Sequence, residues 1–454
     1  MTTIEVRLWG SLIGAASIAG PGQVAAFEFE PGFAARGVEL SPLIMPLAPG
    51  RVYHFPELSM GSFHGLPGLL ADSLPDRFGQ AVINAWLAEQ GRDPADFDSL
   101  EMLSYVGTRG MGALEFAPAT GPRATRAEIV HLAALTQLAS EILTSRQGLS
   151  ASFQDSSREQ AMAQIMKVGT SAGGARAKAL IVWNRTTGEV RTGQAQAPAG
   201  STHWLLKFDG VTGNRDKELA DPEGYTVIEF AYSRMARAAG ITMPETTLLE
   251  EGGRRHFMVR RFDRLDDGAK LHAQSLGALA HLDFNQADVN SYEQAFQVIR
   301  RLGLGPDAVE EQFRRMVFNI VARNQDDHVK NIAFLMDRAG AWSLSPAFDV
   351  TYAFNPDGAW TRRHQMSVNG RREGFTREDL RLCARTASLK RGRADAILDQ
   401  VIGAVSEWPR VAAAAGVRQE HIVAVGANLR LEFPPPGPSR RTARRTGDPP
   451  NRGE

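Results

Sequence analysis

The chain has 454 residues, of which 43% are hydrophobic and 22% are charged, so we expect a large globular core and about two to three domains. Its formal net charge of zero predicts no general attraction to nucleic acid or membranes, and no stretch reaches the ~18 uninterrupted apolar residues of a membrane-spanning helix. The single cysteine, Cys383, excludes an intrachain disulfide and a cysteine-rich zinc site, and it is consistent with a reducing, cytoplasmic location.

Residues 1–115 predict a compact α+β unit. The alternating pattern of "IEVRLWG" and "VAAFEFE" is typical of strands, and it favours a strand over a signal peptide at the start of the sequence. "HGLPGLLADSLPDRFGQAVINAWLAEQG" is helical in pattern, with Asp72 or Ser73 as candidate caps, and "GTRGMGALEF" is a glycine-rich turn that enters a strand. Residues 116–165 predict a polar, alanine-rich helical connector.

Residues 166–262 are rich in predicted strands. "MKVGTSAGGARAKALIVWN" predicts a strand, a glycine-rich turn and a second strand, and "THWLLKFD" and "RHFMVRRFDR" predict further strands. Between these two, "EGYTVIEFAYSRMARAAG" has the apolar spacing of an amphipathic helix. Residues 263–432 are mostly helical in pattern, and residues 433–454 are rich in Pro and Arg and predict a disordered tail.

The most unusual motif is "NQDDHVKN" at 324–331, which precedes a predicted strand–turn–strand hairpin. The hairpin should bring Asn331, just before it, close to Asp349, just after it, and Asp326 leads into the same corner. Protein kinases use this order for a catalytic aspartate, an asparagine five residues later and a metal-binding aspartate beyond a hairpin. The kinase His-Arg pair is absent here, since "NQ" precedes the first aspartate, and Val350 follows Asp349 in place of Phe-Gly.

Two further features suit the binding of phosphates. Lys207 lies in a short apolar strand, where a lone ammonium is costly without a partner, and Glu229 on the following helix is a candidate partner. Kinases hold the nucleotide phosphates with such a strand lysine and helix glutamate. "GTSAGG" at 169–174 can aim backbone N–H groups at phosphates, although it is not a P-loop, and Lys178 follows it.

Together these stretches resemble the HipA family of serine/threonine kinases, the toxins of bacterial toxin–antitoxin pairs. The resemblance covers roughly residues 1–400 and rests on "SLPDRFG", "VGTRGMGALEF", "TSAGGARAK", "HWLLKF", "EFAYSRMARAAGITMPETTLL", "VRRFDR", "NQDDHVKNIAFL" and "LSPAFDV", in family order. It implies an α+β, two-lobed protein-kinase-like fold, with a strand-rich N-lobe and a helical C-lobe, behind a HipA-type N-terminal domain. It also implies ATP and Mg²⁺ as cosubstrates.

The resemblance implies roles for individual residues. Asp326 would be the base, Lys207 with Glu229 the phosphate-binding pair, and Asn331 and Asp349 the metal ligands. Autophosphorylation of a serine in the glycine-rich loop would eject the loop and inactivate the enzyme, and Ser171 occupies that place. The residues implied to contact the nucleotide are Gly169, Ser171, Ala172, Gly173, Gly174, Lys178, Lys207, Arg260, Phe262, His328 and Lys330.

The resemblance also implies partners. The usual one is a small DNA-binding antitoxin of the HipB type, so we expect DNA contact only through that complex, and a known target class in the family is aminoacyl-tRNA synthetase. Two positions depart from the family pattern: Arg176 stands where glutamine is usual, and Arg260 stands where glutamate is common. These departures bear on the adenine contacts and the loop conformation more than on the chemistry.

Two other functions stay open on the sequence alone. A metal-dependent phosphohydrolase or nuclease would use Asp326, Asp327, His328 and Asp349 and would not need Lys207. A non-catalytic kinase-like module would bind nucleotide or an antitoxin and transfer nothing. For His328, a role in fixing the loop by hydrogen bonds is favoured over metal ligation.

Overall fold

The computed structural model describes residues 1–122, 127–144, 155–169, 176–193, 197–211, 215–216, 219–220 and 224–433. The segment predicted to be a disordered tail lies outside these residues except for its first position. No helix in the described ranges is long and apolar enough to cross a lipid bilayer.

The N-terminal unit, from β1 to β5, is built on an antiparallel sheet with strand order β4-β3-β2-β1-β5. The predicted first strand is confirmed, since Ile4, Val6 and Leu8 alternate into the core. The elements of the unit are β1 Thr2–Leu8, β2 Ser11–Ile18, β3 Ala26–Phe29, α1 Pro31–Ala34, β4 Val52–His54, α2 Met60–Phe63, α3 Gly68–Ala71, α4 Arg77–Glu89, α5 Ser99–Val106 and β5 Leu114–Ala117.

The predicted cap of the long helix in this unit is wrong. Asp76 caps α4, since its Oδ1 accepts a hydrogen bond of 2.6 Å from the Gly79 backbone N–H. Pro75 disfavours helical geometry in the residue before it, so the helical pattern breaks there and α4 starts later than predicted. Asp72 instead ends α3 and accepts hydrogen bonds from the N–H and hydroxyl of Ser275.

The strand-rich lobe contains an antiparallel sheet with strand order β11-β12-β8-β6-β7. The strand predicted at "MKV" is wrong: Met166 and Val168 belong to the last turn of α7, because Met162, Ile165 and Met166 bury one helical face. The elements from the connector through this lobe are α6 Leu132–Thr144, α7 Asp155–Val168, β6 Lys178–Asn184, β7 Val190–Thr192, β8 Ser201–Lys207, β9 Arg215–Asp216, β10 Leu219–Ala220, α8 Tyr225–Ala238, β11 Thr246–Glu251 and β12 Arg254–Arg260.

The helical lobe packs its helices around one apolar core, to which α8 also contributes. It carries a small antiparallel sheet of order β13-β14-β15, and its last two strands form the predicted hairpin. The elements are β13 His272–Ser275, α9 Leu276–Ala280, α10 Tyr292–Arg301, α11 Pro306–Val321, β14 Ala333–Met336, β15 Trp342–Leu344, α12 Arg377–Thr386, α13 Arg393–Ser406, α14 Trp408–Ala415 and α15 Gln419–Gly426.

The N-terminal unit and the strand-rich lobe share a hydrophobic core. Phe78 and Val82 on α4 are fully buried in one cluster with Ile165 of α7, Ala179 of β6 and Leu206 of β8. Burying such side chains stabilises the contact by about 1.5–3 kcal/mol each. The N-terminal unit is therefore packed against the sheet from which the candidate site is built.

A buried ion cluster joins the same two parts of the chain. The carboxylate of Asp263, which is 0% exposed, accepts hydrogen bonds from Arg261 at 2.6 and 2.9 Å, from Arg264 at 2.8 Å and from the Gly112 N–H at 2.7 Å. Arg264 also donates to the Gly110 carbonyl at 3.0 Å. Burial alone would raise the pKa of Asp263, but the two guanidinium groups outweigh burial and hold the pKa well below its usual value.

We predict that Asp263→Ala lowers the free energy of unfolding by about 3–5 kcal/mol, because it leaves buried guanidinium groups without their counter-charge. Asp266 pairs with Arg260 from an exposed position, so Asp266→Ala should cost less than about 1 kcal/mol. Chemical denaturation of both variants and of the wild type at pH 7 measures the difference.

The contribution of Asp263 to the free energy of unfolding should decrease at low pH. A carboxylate with a depressed folded-state pKa stabilises the fold above its unfolded pKa, and that contribution is lost as pH falls through the folded value. The stability gap between wild type and Asp263→Ala should therefore narrow below about pH 4. Equal costs for the two substitutions at pH 7 would contradict the cluster's role.

Candidate active site

The centre of the candidate site is the ammonium group of Lys207, at the end of β8. It lies 2.6 Å from Oε1 of Glu229 on α8 and 2.6 Å from Oδ1 of Asp349, which follows the β14–β15 hairpin. The predicted pairing of a strand lysine with a helix glutamate is therefore present. Lys207 and Glu229 are 7% and 2% exposed, so the ion pair is formed away from bulk water.

Lys207 and Asp349 hold each other in their charged forms. Burial alone would lower the pKa of Lys207, but the carboxylates of Asp349 and Glu229 outweigh burial and hold its pKa above the usual value. Burial alone would raise the pKa of Asp349, but the ammonium groups of Lys207 and Lys178 outweigh burial and lower it to about 2. The site therefore contains a cation and an anion that both persist at neutral pH.

The hairpin brings the predicted metal ligands together. Asn331 lies at the entry to β14, and Asp349 follows β15 with a φ of 52°, in the left-handed region that residues with a Cβ rarely adopt. Both residues line one cavity of about 20 Å³, and the side chain of Asp349 is 31% exposed. Asn331 Nδ2 donates to the Asp326 carbonyl at 2.9 Å, which leaves Oδ1 as the atom that can bind a cation.

Asp326 presents its carboxylate beside this corner. Its Oδ1 accepts a hydrogen bond of 2.6 Å from the indole N–H of Trp360, and its Oδ2 lies 3.9 Å from Nε2 of His328. The side chain remains 15% exposed, so a small group can reach it. Trp360 was missed in the sequence because it lies beyond the hairpin, and no local pattern links it to the loop.

Asp327, the next residue, has the opposite environment. It is 3% exposed, and it accepts hydrogen bonds from Tyr292 Oη at 2.7 Å, from the Gln365 N–H at 2.8 Å and from the His364 ring at 2.8 Å. Burial and the charge of Asp327 raise the pKa of Tyr292 well above its usual value, so its hydroxyl stays protonated and donates. The buried hydrogen bonds of Asp327 therefore fix the loop at residues 324–331 to the helical lobe.

This environment argues against the phosphohydrolase hypothesis, which would use Asp327 together with Asp326, His328 and Asp349. In the described ranges, no group of three or more His, Cys, Asp or Glu side chains is arranged to hold a metal ion. The corner at Asn331 and Asp349 offers one amide oxygen and one carboxylate. That set fits Mg²⁺, which takes one or two protein oxygens and completes its shell with water and substrate phosphates.

The other residues predicted to contact the nucleotide make different contacts in the structure. Lys178 is buried, and its ammonium lies 2.8 Å from Oδ2 of Asp76, a partner that the sequence analysis missed. Phe262 packs against Phe348, the neighbour of Asp349, with ring centroids 5.7 Å apart. Arg260 points its guanidinium at two carboxylates, those of Glu245 and Asp266.

His328 and Lys330 both pack on Phe284, with the His328 ring 5.8 Å and the Lys330 ammonium 4.6 Å from its ring centroid. Gly169 follows α7, and its N–H donates to the Ile165 carbonyl at 2.7 Å. The remaining predicted residues of the glycine-rich loop, Ser171, Ala172, Gly173 and Gly174, lie outside the described residues.

A strand-rich lobe with a lysine–glutamate pair, a helical lobe and a loop–hairpin corner of acidic and amide groups define a protein-kinase-like fold. The sequence profile of the HipA-like C-terminal domain matches residues 170–408, and that of the HipA N-terminal domain matches residues 4–117. The chain belongs to the HipA family.

A solved structure shares the fold of this chain, and two curated proteins align with part of it. HipA of Shewanella oneidensis MR-1, solved in a complex with HipB and operator DNA, has the same fold with a TM-score of 0.64 and 17% identity over 93% of this chain and 94% of that one. "Putative kinase Y4mE" of Sinorhizobium fredii is 26% identical over 165 residues, and a "Putative kinase" of Haemophilus influenzae is 24% identical over 159. These alignments cover 32% and 31% of this chain, and 39% and 46% of the two curated relatives.

The contrast between the neighbouring aspartates is testable by stability alone. Asp327→Ala should lower the free energy of unfolding by about 2–4 kcal/mol, because it leaves buried donors unpaired. Asp326→Ala should change it by about 1 kcal/mol or less, because Asp326 faces the site opening. Urea denaturation with circular dichroism measures both, and Asp327→Asn, which keeps the side-chain shape, should fall between them. A larger loss for Asp326→Ala would reverse the two roles.

Proposed function

We propose that the chain is an ATP- and Mg²⁺-dependent serine/threonine protein kinase of the HipA type. The observation that carries the proposal is the buried Lys207 ammonium, which contacts Glu229 and Asp349 at 2.6 Å each beside the loop that holds Asp326 and Asn331. We assign the Lys207 ammonium to the phosphates and the Asp326 carboxylate to the acceptor hydroxyl. The side-chain oxygens of Asn331 and Asp349 are assigned to the divalent cation. Phosphoryl transfer depends mainly on positioning and on stabilising charge, and these groups supply both.

In this proposal Asp326 orients the acceptor hydroxyl and takes its proton, and the N–H of Trp360 orients the carboxylate. The hydroxyl oxygen bonds to the γ-phosphorus while the bond from that phosphorus to the β,γ-bridging oxygen breaks, and ADP leaves with the bonding electron pair. Lys207 compensates the negative charge of the phosphates, and Glu229 keeps the lysine charged and in place. Phe262, which packs against Phe348, would contact the adenine.

Asn331 and Asp349 would hold Mg²⁺, which supplies positive charge for the phosphate oxygens. The low pKa of Asp349, about 2, keeps it ionised as a ligand at neutral pH. We prefer this proposal to a non-catalytic kinase-like module because the chain contains the residues that we assign to transfer as well as those that we assign to binding.

The Shewanella relative was solved with HipB and operator DNA, which supports a small DNA-binding antitoxin of the HipB type as a partner of this chain. DNA would then be contacted through the antitoxin complex. A protein such as an aminoacyl-tRNA synthetase is the target class that we propose from the family resemblance. We further propose that Ser171 is autophosphorylated: the added charge, about −1.5 to −2, would repel the ATP phosphates and inactivate the enzyme.

Incubation with labelled ATP and Mg²⁺, followed by peptide mass spectrometry, tests the transfer reaction. Asp326→Ala should fold and bind ATP but transfer phosphate about 10²–10⁴-fold more slowly, the usual range for one acid–base group. The wild type should carry phosphate on Ser171, whereas Asp326→Ala should not. Full transfer activity in Asp326→Ala would end the base assignment, and phosphate on Ser171 of that variant would show that another kinase placed it there.

Calorimetric titration with ATP, in magnesium and in EDTA, separates the binding roles. Asn331→Ala and Asp349→Ala should weaken ATP binding only when magnesium is present, because these residues act through the cation. Lys207→Ala should weaken binding in both buffers, because the ammonium acts directly on the phosphates. The same metal dependence for Lys207→Ala and Asp349→Ala would contradict these assignments.

A further inference from the structure

Two lysines stand side by side on the sheet beneath the candidate site. Lys178 on β6 and Lys207 on β8 are direct partners in the antiparallel register, so their side chains project from the same face. Both are buried, at 2% and 7% exposure. Like charges directly opposite each other destabilise a sheet, so each ammonium needs its own counter-charge. Lys207 has Glu229 and Asp349.

The counter-charge of Lys178 comes from the N-terminal unit. Its ammonium lies 2.8 Å from Oδ2 of Asp76, and the two side chains are 2% and 6% exposed. The other oxygen of Asp76 accepts the Gly79 N–H and caps α4. Because α4 is held in the shared core by Phe78 and Val82, the carboxylate has a fixed position relative to the sheet.

Lys178 lies close to Lys207 and Asp349 of the candidate site. Its register partner Lys207 contacts Asp349 at 2.6 Å, and its own ammonium lies 2.8 Å from Asp76. The Asp76–Lys178 ion pair therefore lies beside the Lys207–Asp349 ion pair.

We propose that Asp76 is a positioning residue of the nucleotide site: it holds the Lys178 ammonium where that group can donate to a phosphate of the bound nucleotide. A free lysine side chain carries about 2 kcal/mol of rotamer entropy, and an ion pair made in advance removes part of that cost from nucleotide binding. An ammonium has three donors, so Lys178 can keep Asp76 while it binds a phosphate oxygen. The N-terminal unit then completes the site, an inference that rests on the proposed function.

Asp76→Asn in the full chain is the sharpest test. Asparagine caps a helix as well as aspartate does, so α4 should stay intact while the charge on its cap is lost. Mg–ATP affinity measured by calorimetry should fall about tenfold, the loss of one charge-assisted contact, whereas adenosine, which lacks phosphates, should bind as it does to the wild type. Asp72→Asn is the matched control, because Asp72 joins the N-terminal unit to Ser275 and does not touch Lys178.

A double-mutant cycle separates positioning from a general structural effect. In a Lys178→Met background, Asp76→Asn should cause no further loss of Mg–ATP affinity. Should Asp76→Asn not fold, Asp76→Glu tests the position of the carboxylate in place of its charge: it moves the carboxylate by one methylene and should also lower Mg–ATP affinity. Unchanged or tighter Mg–ATP binding, an equal loss with Asp72→Asn, or a loss that persists in the Lys178→Met background would overturn the inference. If the wild type binds no Mg–ATP, the proposed function fails and this inference fails with it.

Discussion

The buried ammonium of Lys207 is the group on which the arrangement of the site depends. A lysine in a low-dielectric interior is stable as a cation only with counter-charges at contact distance. Its two carboxylates come from different parts of the chain, Glu229 from α8 and Asp349 from beyond the β14–β15 hairpin. Because α8 is packed in the core of the helical lobe, this ion triad joins the strand-rich sheet to that lobe.

The N-terminal unit is integrated with the lobes by two kinds of contact. Apolar side chains of α4 belong to the core beneath the strand-rich sheet, and the Asp263 cluster binds backbone groups of the turn at Gly110 and Gly112. The first contact is non-directional and supplies stability, whereas the second is directional and fixes the relative position of the parts. Because these contacts hold the N-terminal unit against the lobes, they would also hold Asp76 in the positioning role that we propose for it.

The loop at residues 324–331 shows how environment decides the role of identical side chains. Asp326 accepts a hydrogen bond from the Trp360 indole and is partly exposed, which suits the proton transfer that we propose for it. Asp327 accepts hydrogen bonds from three buried donors, so its removal would disturb the loop that holds Asp326. Asp326, the base that we propose, is thus followed in the chain by a buried carboxylate with a structural role.

The sequence by itself determined the features that depend on local spacing. The amphipathic period of α8, the hairpin that brings Asn331 and Asp349 together, and the lone Lys207 in an apolar strand all followed from residues near one another in the chain. The prediction of a strand at "MKV" was wrong because the period of so short an apolar run does not distinguish a strand from a helix. Only the tertiary structure decided that Asp76 pairs with Lys178 and that Trp360 donates to Asp326. The partner of a buried polar group depends on how segments far apart in the sequence pack together, and no local pattern encodes that packing.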